Sequence, residues 1–313
     1  MSPDHKPPLN FQIVLVRGQY WIIPTLAAVF WLATLLGLLL WWIVDDNSKQ
    51  YMIDEATVVF ISDVGAAHKG LFISGTALTF VFFSATLLTE RWLRHIRRIP
   101  GALKKKETVY DILCCVFGIL GGLALMLLSI FDAFNHSKAH WTLTLVFVVC
   151  IALSAIFQTL EVMSLERDHV DRNHLRRTAI IKLIIVSVAV AGAIGFGVTY
   201  GICAGANNDV APTARCNIVQ SAAASLEWFI AFLFFLYICT FILDLLPARK
   251  TEGHKFHPGL IEADKSNMLH EHKNGRPGAP RGLDSPVRRA SEDDHSLGPR
   301  VGRTPEDQGL QQV

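Results

Sequence analysis

The stretch ILCCVFGILGGLALMLLSIF, Ile112–Phe131, contains no charged side chain. A helix needs about 20 predominantly apolar residues to cross the hydrocarbon core of a bilayer, and this stretch has that length. Five further stretches have the same character: Trp21–Val44, Leu71–Thr89, Trp141–Leu160, Ala179–Tyr200 and Leu226–Leu246. None alternates like a strand of a membrane β-barrel, so the backbone must be hydrogen-bonded within helices. The sequence therefore predicts an all-α fold, a polytopic membrane protein with a bundle of six transmembrane helices.

The composition of the whole chain agrees with a membrane protein. Of its 313 residues, 51% are hydrophobic and 18% are charged, whereas soluble domains carry about 25% charged residues. The net charge of +2 gives no reason to expect a nucleic-acid partner. We find no nucleotide-binding, metalloprotease or paired-cysteine pattern in a suitable context, so we expect no cofactor and no metal site.

Lysine and arginine are distributed unevenly between the connecting segments. The segments before the first span, after the second and after the fourth hold 13 of them, and the three alternating segments hold four. Positive residues concentrate on the cytosolic side of membrane proteins. The bias predicts that both termini are cytosolic, residues 1–20 included, and that Val58–Phe72 faces the exterior or a lumen.

The chain changes character after the last span. Pro247–Val313 carries 11 Lys and Arg, 10 Asp and Glu, and almost no apolar periodicity. Such a segment cannot bury enough surface to offset its ordering entropy, so we expect a disordered cytosolic tail. Ser285 and Thr304 each precede a proline, and Ser291 lies between RRA and EDD, which makes all three candidate phosphosites.

Several polar residues gather on the predicted outer face. They are Asp63 in the first outer loop, Asp132, His136 and His140 around the second, and Glu227 at the start of the sixth span. We favour a structural cluster that ties helix ends together, with the histidines as the nearest candidate partners for Asp132 and Glu227. Acid–base chemistry on a lipid headgroup and a metal site at the histidine pair are the alternatives.

The cysteines divide between loop and spans. Cys203 and Cys216 lie in the outer loop before the sixth span, where an oxidising compartment favours a disulfide over two free thiols. Cys114 and Cys115 lie just inside the third span beside basic residues, so they are candidates for palmitoylation, although small packing residues are the favoured interpretation. The pairs Gly118/Gly122 and Gly197/Gly201 suggest close helix packing within the monomer.

The second connector is strongly basic. Its candidate residues for binding an anionic lipid such as a phosphoinositide are Arg91, Arg94, Arg97, Arg98, Lys104, Lys105 and Lys106. Trp92, Ile96 and Ile99 have helical spacing, which predicts an interfacial extension of the second span with an apolar stripe toward the acyl chains. Lys182, one turn inside the fifth span, is expected to reach the same headgroups. The simpler alternative is that these charges only set the topology.

The order of short motifs along the chain resembles a known family. Three motifs resemble the Frag/DRAM/Sfk family of six-span membrane proteins. They are FISDVGA before the second span, FD and two histidines around the third and fourth, and EW before an apolar run ending near Asp244. The resemblance covers about residues 21–246, and the basic connector and long polar tail look most like the fungal Sfk branch. Asp63, Asp132, His140 and Glu227 match recurrent family positions.

The resemblance implies a non-enzymatic, multi-pass plasma-membrane protein. Sfk proteins are associated with recruiting a phosphatidylinositol 4-kinase complex and with phospholipid asymmetry, so that kinase complex and inner-leaflet phosphoinositides are the expected partners. Frag-like relatives imply an alternative role in GPI-anchor lipid remodelling in the Golgi or endoplasmic reticulum, which includes lipid acyl transfer or hydrolysis. DRAM-like relatives imply modulation of autophagy at lysosomes or vacuoles.

Overall fold

A computed structural model of the protein describes residues 19–96, 98–99, 104–168, 172–203 and 211–249. Within these residues the elements are helical: α1 Ile22–Leu40, the short α2 Ile61–Ala67, α3 Lys69–His95, α4 Lys105–Ile130, α5 Ser137–Asp168, α6 Arg172–Ile202 and α7 Ala214–Leu245. A π-helical turn, Trp41–Asp45, continues α1. Six helices, α1 and α3–α7, are long and apolar enough to cross a membrane. The prediction of an all-α bundle with six spans is confirmed.

The helices extend beyond the apolar stretches from which the spans were predicted. For example, α7 begins at Ala214, well before Leu226, and α5 runs from Ser137 to Asp168. Hydropathy indicates which part of a helix lies in the hydrocarbon core of the bilayer. It does not indicate where the helix ends, because the backbone hydrogen bonds of the helix continue through polar residues. These polar helix ends carry the residues that matter below.

The long helices form a closed ring in chain order. Each of α3 to α7 packs against the preceding long helix, and α7 returns to pack against α1. Phe234 of α7 lies at the centre, with its ring centroid 5.7 Å from that of Trp31 on α1, 5.5 Å from Phe83 on α3 and 5.9 Å from Phe147 on α5. One aromatic side chain thus contacts three other helices.

Glycine allows close helix contact at some of the predicted positions. A Cβ atom on Gly118 would lie 2.4 Å from Leu87 Cδ1, and one on Gly122 would lie 2.9 Å from the Phe80 ring. Gly197 and Gly201 have no such neighbour within 4 Å. The prediction of intramolecular packing therefore holds for the pair on α4 but is wrong for the pair on α6.

The two ends of the bundle differ in their chemistry. We call the end that holds the basic connector, Tyr20 and Ala248 the basic end, and the opposite end the disulfide end. At the basic end α3 stops at His95, and Ile99 is buried against Tyr20, Leu93 and Leu245. The predicted extension of the second span forms in part: α3 continues past Thr89 to His95 and carries the exposed Trp92, whereas Ile99 lies beyond the helix end and packs into the protein instead of facing the acyl chains. The candidate phosphosites Ser285, Ser291 and Thr304 lie outside the described residues.

Candidate functional site

The chain before α2 is attached to the first half of α7. Asn217 Oδ1 accepts a hydrogen bond of 2.8 Å from the Thr57 N–H, and Trp228 Nε1 donates one of 3.1 Å to the Val59 carbonyl. Ser221 Oγ accepts from the Val58 N–H at 3.3 Å. Three side chains along one helix therefore hold this loop segment in place.

Glu227 continues this row of contacts at the start of α2. Its Oε2 accepts a hydrogen bond of 2.8 Å from the Ile61 N–H. The residue before α2, Phe60, has no side chain that can cap the helix, and the first N–H groups of a helix need an acceptor. Glu227 supplies that acceptor from a different helix, and a carboxylate is also favoured by the helix dipole.

Asp63 occupies the first turn of the same short helix but has a different environment. Burial, and then the carboxylates of Glu55 and Glu227, raise the pKa of Asp63 well above its ordinary value. Burial also raises the pKa of Glu55. The contact between α2 and α7 is thus made by Glu227, whereas Asp63 lies among like charges.

A second polar group at the disulfide end centres on Asp46. Its Oδ2 accepts a hydrogen bond of 2.6 Å from the Tyr51 hydroxyl and lies 2.7 Å from Nε2 of His68, whose ring stacks on Trp41. The Tyr51 bond, followed by the His68 bond, lowers the pKa of Asp46 to about 2. Burial and the same contact raise the pKa of Tyr51. This group was not predicted from the sequence.

Asp132 pairs with a lysine. Lys69 Nζ contacts Asp132 Oδ2, and the Asn135 N–H donates a hydrogen bond of 2.8 Å to Oδ1. Burial alone would raise the pKa of Asp132, but these bonds outweigh it and hold the pKa below its ordinary range. In the part of the chain that the structure describes, neither Asp132 nor Glu227 uses a histidine side chain as its partner, contrary to expectation.

The two histidines of the second outer loop have unrelated surroundings. His140 is buried, and its Nδ1 lies 3.0 Å from the Leu128 carbonyl and 2.9 Å from the Phe131 carbonyl. Because carbonyl oxygens only accept, Nδ1 carries the proton and donates to the end of α4. His136 is exposed and lies edge-on to Phe131. Within the described residues, no three His, Cys, Asp or Glu side chains are arranged to hold a metal ion.

A disulfide joins Cys203 at the end of α6 to Cys216 in the first turn of α7. Their Cα atoms are 5.8 Å apart, and 13 positions separate them in the chain. The bond closes the third loop of the disulfide end, as expected from the two loop cysteines.

The three arginines of the basic connector that the structure describes are engaged within the protein. Arg94 is 6% exposed, and its guanidinium nitrogens lie 2.5 Å from Glu90 and 3.3 Å from Glu161. Arg98 donates a hydrogen bond of 2.8 Å to the Tyr20 hydroxyl, and Arg91 donates one of 2.6 Å to Asp111.

The candidate lipid contacts therefore divide into two groups. Arg94, the most deeply buried, faces carboxylates and not headgroups. The side chains of Lys104, Lys105 and Lys106 are exposed. Arg97 lies outside the described residues.

A buried ionic network surrounds Arg94. Gln158 Nε2 donates to both oxygens of Glu90, at 2.9 and 3.0 Å. Lys182 is fully buried, contacts Asp244 and lies 4.4 Å above the centre of the Phe241 ring. The expectation that Lys182 reaches lipid headgroups is therefore wrong, because its ammonium group is paired inside the bundle.

The cysteines of α4 border this network. Cys114 and Cys115 are both buried. The Cys114 thiol donates to Gln158 Oε1 at 2.8 Å, and the Cys115 thiol lies 3.7 Å from the Leu87 carbonyl. Both thiols are turned into the bundle, which is the packing arrangement that the sequence favoured over acylation.

The network was missed because each member had a simple explanation when taken alone. Glu90 and Glu161 directly follow apolar stretches, where a charge is expected to be solvated. The sequence nevertheless held a usable signal. Three predicted spans carry a carboxylate at or near the ends expected to be cytosolic (Glu90, Glu161 and Asp244), and Arg94 and Lys182 lie near the same side of the membrane. Ionisable groups at such depths usually pair with each other.

These features define a multi-pass helical membrane protein with ordered polar contacts at both ends of its bundle. The family model "Frag1/DRAM/Sfk1/Cwh43P N-terminal domain" matches residues 19–248. The chain is also 30% identical to the protein named Protein sfk1 of Schizosaccharomyces pombe over 237 residues, which are 74% of this chain and 67% of that relative. No solved structure matches the chain. The protein belongs to the Frag1/DRAM/Sfk1/Cwh43P family.

Proposed function

We propose that this protein is a non-enzymatic membrane scaffold that supports a phosphatidylinositol 4-kinase complex at the plasma membrane, and with it lipid organisation. The proposal is supported by membership of the family and by the similarity to Protein sfk1. The kinase complex and anionic inner-leaflet lipids are the proposed partners, and the basic end is the proposed contact surface.

The exposed lysines at the start of α4 carry the proposal. Glu107 fixes the backbone that carries Lys104, Lys105 and Lys106. Its Oε2 accepts a hydrogen bond of 3.0 Å from the Lys104 N–H, and its Oε1 accepts one of 2.8 Å from Ser164 on α5. A basic residue near an anionic leaflet contributes about 1 kcal/mol to membrane attraction. Three lysines held together therefore suit a multiply charged headgroup or an acidic protein surface.

The proposed orientation places the basic end and both termini in the cytosol. The charge bias of the connectors supports it. So does the disulfide, because such bonds persist in oxidising compartments. An impermeant amine reagent applied to sealed cells should label the exposed Lys138 at the disulfide end, and not Lys104–Lys106. Labelling of the lysine triplet in intact cells would overturn this orientation.

The contacts at the disulfide end support the non-enzymatic assignment. Asp132 is paired with Lys69, the His140 N–H is donated to two carbonyls, and Glu227 caps α2. Each group has a structural partner. An enzyme would lose turnover on Asp63→Ala or His140→Ala with normal abundance, whereas a scaffold should show loss of folded protein for His140→Ala.

The function is tested by replacing Lys104, Lys105 and Lys106 together with Gln. We expect lower phosphatidylinositol 4-phosphate at the plasma membrane, read with a lipid-binding reporter, at unchanged surface abundance. Lys138→Gln is the matched control, because it removes an exposed lysine from the opposite end. Normal phosphatidylinositol 4-phosphate with a correctly delivered triple variant would refute the proposal, as would steady-state residence of the tagged protein in Golgi or lysosomes.

A further inference from the structure

Among the side chains that the structure describes, the buried charges at the basic end do not balance. Three carboxylates, on Glu90, Glu161 and Asp244, share the network with two cations, on Arg94 and Lys182. All five side chains are at most 6% exposed. A buried charge without a counter-charge costs several kcal/mol, and an ionisable group avoids that cost by becoming neutral.

One of the three carboxylates is well supplied with donors, and a second has a cation of its own. Glu90 receives a hydrogen bond of 2.5 Å from Arg94 and two from the Gln158 amide. Asp244 is in direct contact with the Lys182 ammonium group. Both carboxylates therefore have the partners that stabilise an ionised form.

Glu161 has the poorest surroundings for a negative charge. It is 1% exposed, and its Oε1, like Oδ2 of Asp244, receives no hydrogen bond from the residues that the structure describes, but unlike Asp244 it shares its cation with another carboxylate. Its ionic contact within the described residues is Arg94 Nε at 3.3 Å, on a guanidinium that Glu90 already engages at 2.5 Å. The charged groups facing it from the neighbouring helices are Arg94 and Glu90 on α3, Asp111 on α4 and Lys182 on α6.

We propose that the Glu161 carboxyl is a binding site for one exchangeable proton and is occupied at neutral pH. The carboxylate takes the proton from a hydronium ion: an O–H bond of the hydronium breaks and leaves water, an O–H bond forms on one carboxylate oxygen, and the network passes from one excess negative charge to neutral. The Arg91–Asp111 pair is partly exposed at the basic end, and the charge of Asp111 acts on Glu161, so we place the exchange with solvent on that side.

The site would make helix packing at the basic end sensitive to pH. Glu161 lies on α5, and the cations that would respond to its charge lie on α3 and α6. Loss of the proton would draw Arg94 toward Glu161 and away from Glu90. This site is independent of the proposed scaffold function, because it uses none of the exposed lysines.

Infrared spectroscopy of the purified full chain in lipid nanodiscs tests the proposal. A protonated carboxyl has a carbonyl band that is separate from the carboxylate bands and shifts in heavy water. We expect the wild type to show such a band at neutral pH and to lose it reversibly as the pH is raised. The same band should be missing from the spectrum of Glu161→Gln at neutral pH. Glu107→Gln is the matched control: Glu107 is buried at the same end but accepts hydrogen bonds from Lys104 N–H and Ser164, so the band should remain.

Stability provides an independent readout. Gln is isosteric with a protonated Glu, so Glu161→Gln should fold with wild-type yield. Because the bound proton stabilises the folded state, the wild-type unfolding temperature should fall as pH rises above neutral, and that of Glu161→Gln should fall less. Identical acid bands in wild type and Glu161→Gln, or a Glu161→Gln variant that fails to fold at neutral pH, would show that Glu161 carries its charge and would overturn the proposal.

Discussion

At the disulfide end, side chains cap helix ends through backbone groups, whereas the most deeply buried charges at the basic end bind one another. At the disulfide end, Glu227 and His140 satisfy helix ends that have no partner in their own helix. At the basic end, Arg94 bridges carboxylates on two helices. A contact with the backbone needs only an acceptor or donor of the right shape, but an ionic network depends on its balance of charge. The two ends should therefore respond differently to neutral substitutions.

The largest expected effect is at Arg94. Replacing it with Met keeps most of the side-chain volume but leaves Glu90 and Glu161 without their shared cation. We expect a loss of about 3–5 kcal/mol of stability, as for other broken buried ion pairs. The readout is thermal unfolding in detergent, followed by the reaction of the buried Cys114 with a thiol-reactive dye.

The control for Arg94→Met is Lys105→Met at the same end of the bundle. Lys105 is exposed, so its replacement should change stability by less than about 0.5 kcal/mol. Equal unfolding temperatures for the two variants would mean that the ionic network contributes nothing to stability. The contrast between the two ends would then disappear.

The disulfide should give the next largest effect. Replacing Cys203 and Cys216 with Ser releases a loop with a sequence separation of 13, which the chain-entropy model values at about 3 kcal/mol. A reductant should bring the wild type down to the stability of the double variant and should not affect the variant further. If a reductant leaves the unfolding temperature of the wild type unchanged, this prediction is wrong.

The architecture was largely predictable from the sequence, and the ends of the helices were not. Hydropathy locates α4 because lipid demands an uninterrupted apolar run, such as Ile112–Phe131. It says nothing about Glu90 or Lys182, since a charge beside an apolar run is compatible with solvent, lipid headgroups or a buried partner. Only the arrangement of α3, α5 and α6 around one another decides between them.

The polar residues of the disulfide end were identified, but their partners were not. Topology correctly indicates which loops meet, so Asp132 and Glu227 were expected near other polar groups. Their partners, Lys69 and the Ile61 N–H, depend on the path of each loop and on the position of α2. Backbone donors are present at every residue, which is why no sequence pattern singles out the one that is used.

Glu227 separates the two kinds of contact directly. Glu227→Ala leaves the first N–H groups of α2 without an acceptor and should cost about 1–3 kcal/mol. Glu227→Gln retains an acceptor oxygen and should cost less. Hydrogen exchange at the Ile61 amide measures the local effect. If Gln proves as damaging as Ala, the charge of Glu227 matters and this end resembles the basic end more than the structure indicates.

Asp63 should give the smallest change and the opposite sign. Its pKa is raised by burial and by Glu55 and Glu227, so ionisation of Asp63 destabilises the folded state. Its contribution is present at acid pH and is lost as pH rises through the raised pKa. Asp63→Asn should therefore match the wild type at acid pH and become the more stable protein as pH increases, with the difference levelling off above that pKa.

Asp132→Asn provides the contrast to Asp63→Asn. Lys69 and Asn135 hold the pKa of Asp132 below its ordinary range despite its burial. The ionised carboxylate therefore stabilises the fold above the ordinary pKa of an aspartate, and that stability is lost as pH falls through the lowered pKa. In thermal unfolding scans at neutral pH, Asp132→Asn should be less stable than the wild type. Asp63→Asn should be more stable than the wild type in the same scans. The same sign for both variants would mean that the two aspartates share one environment, although the structure places one beside carboxylates and the other beside a lysine.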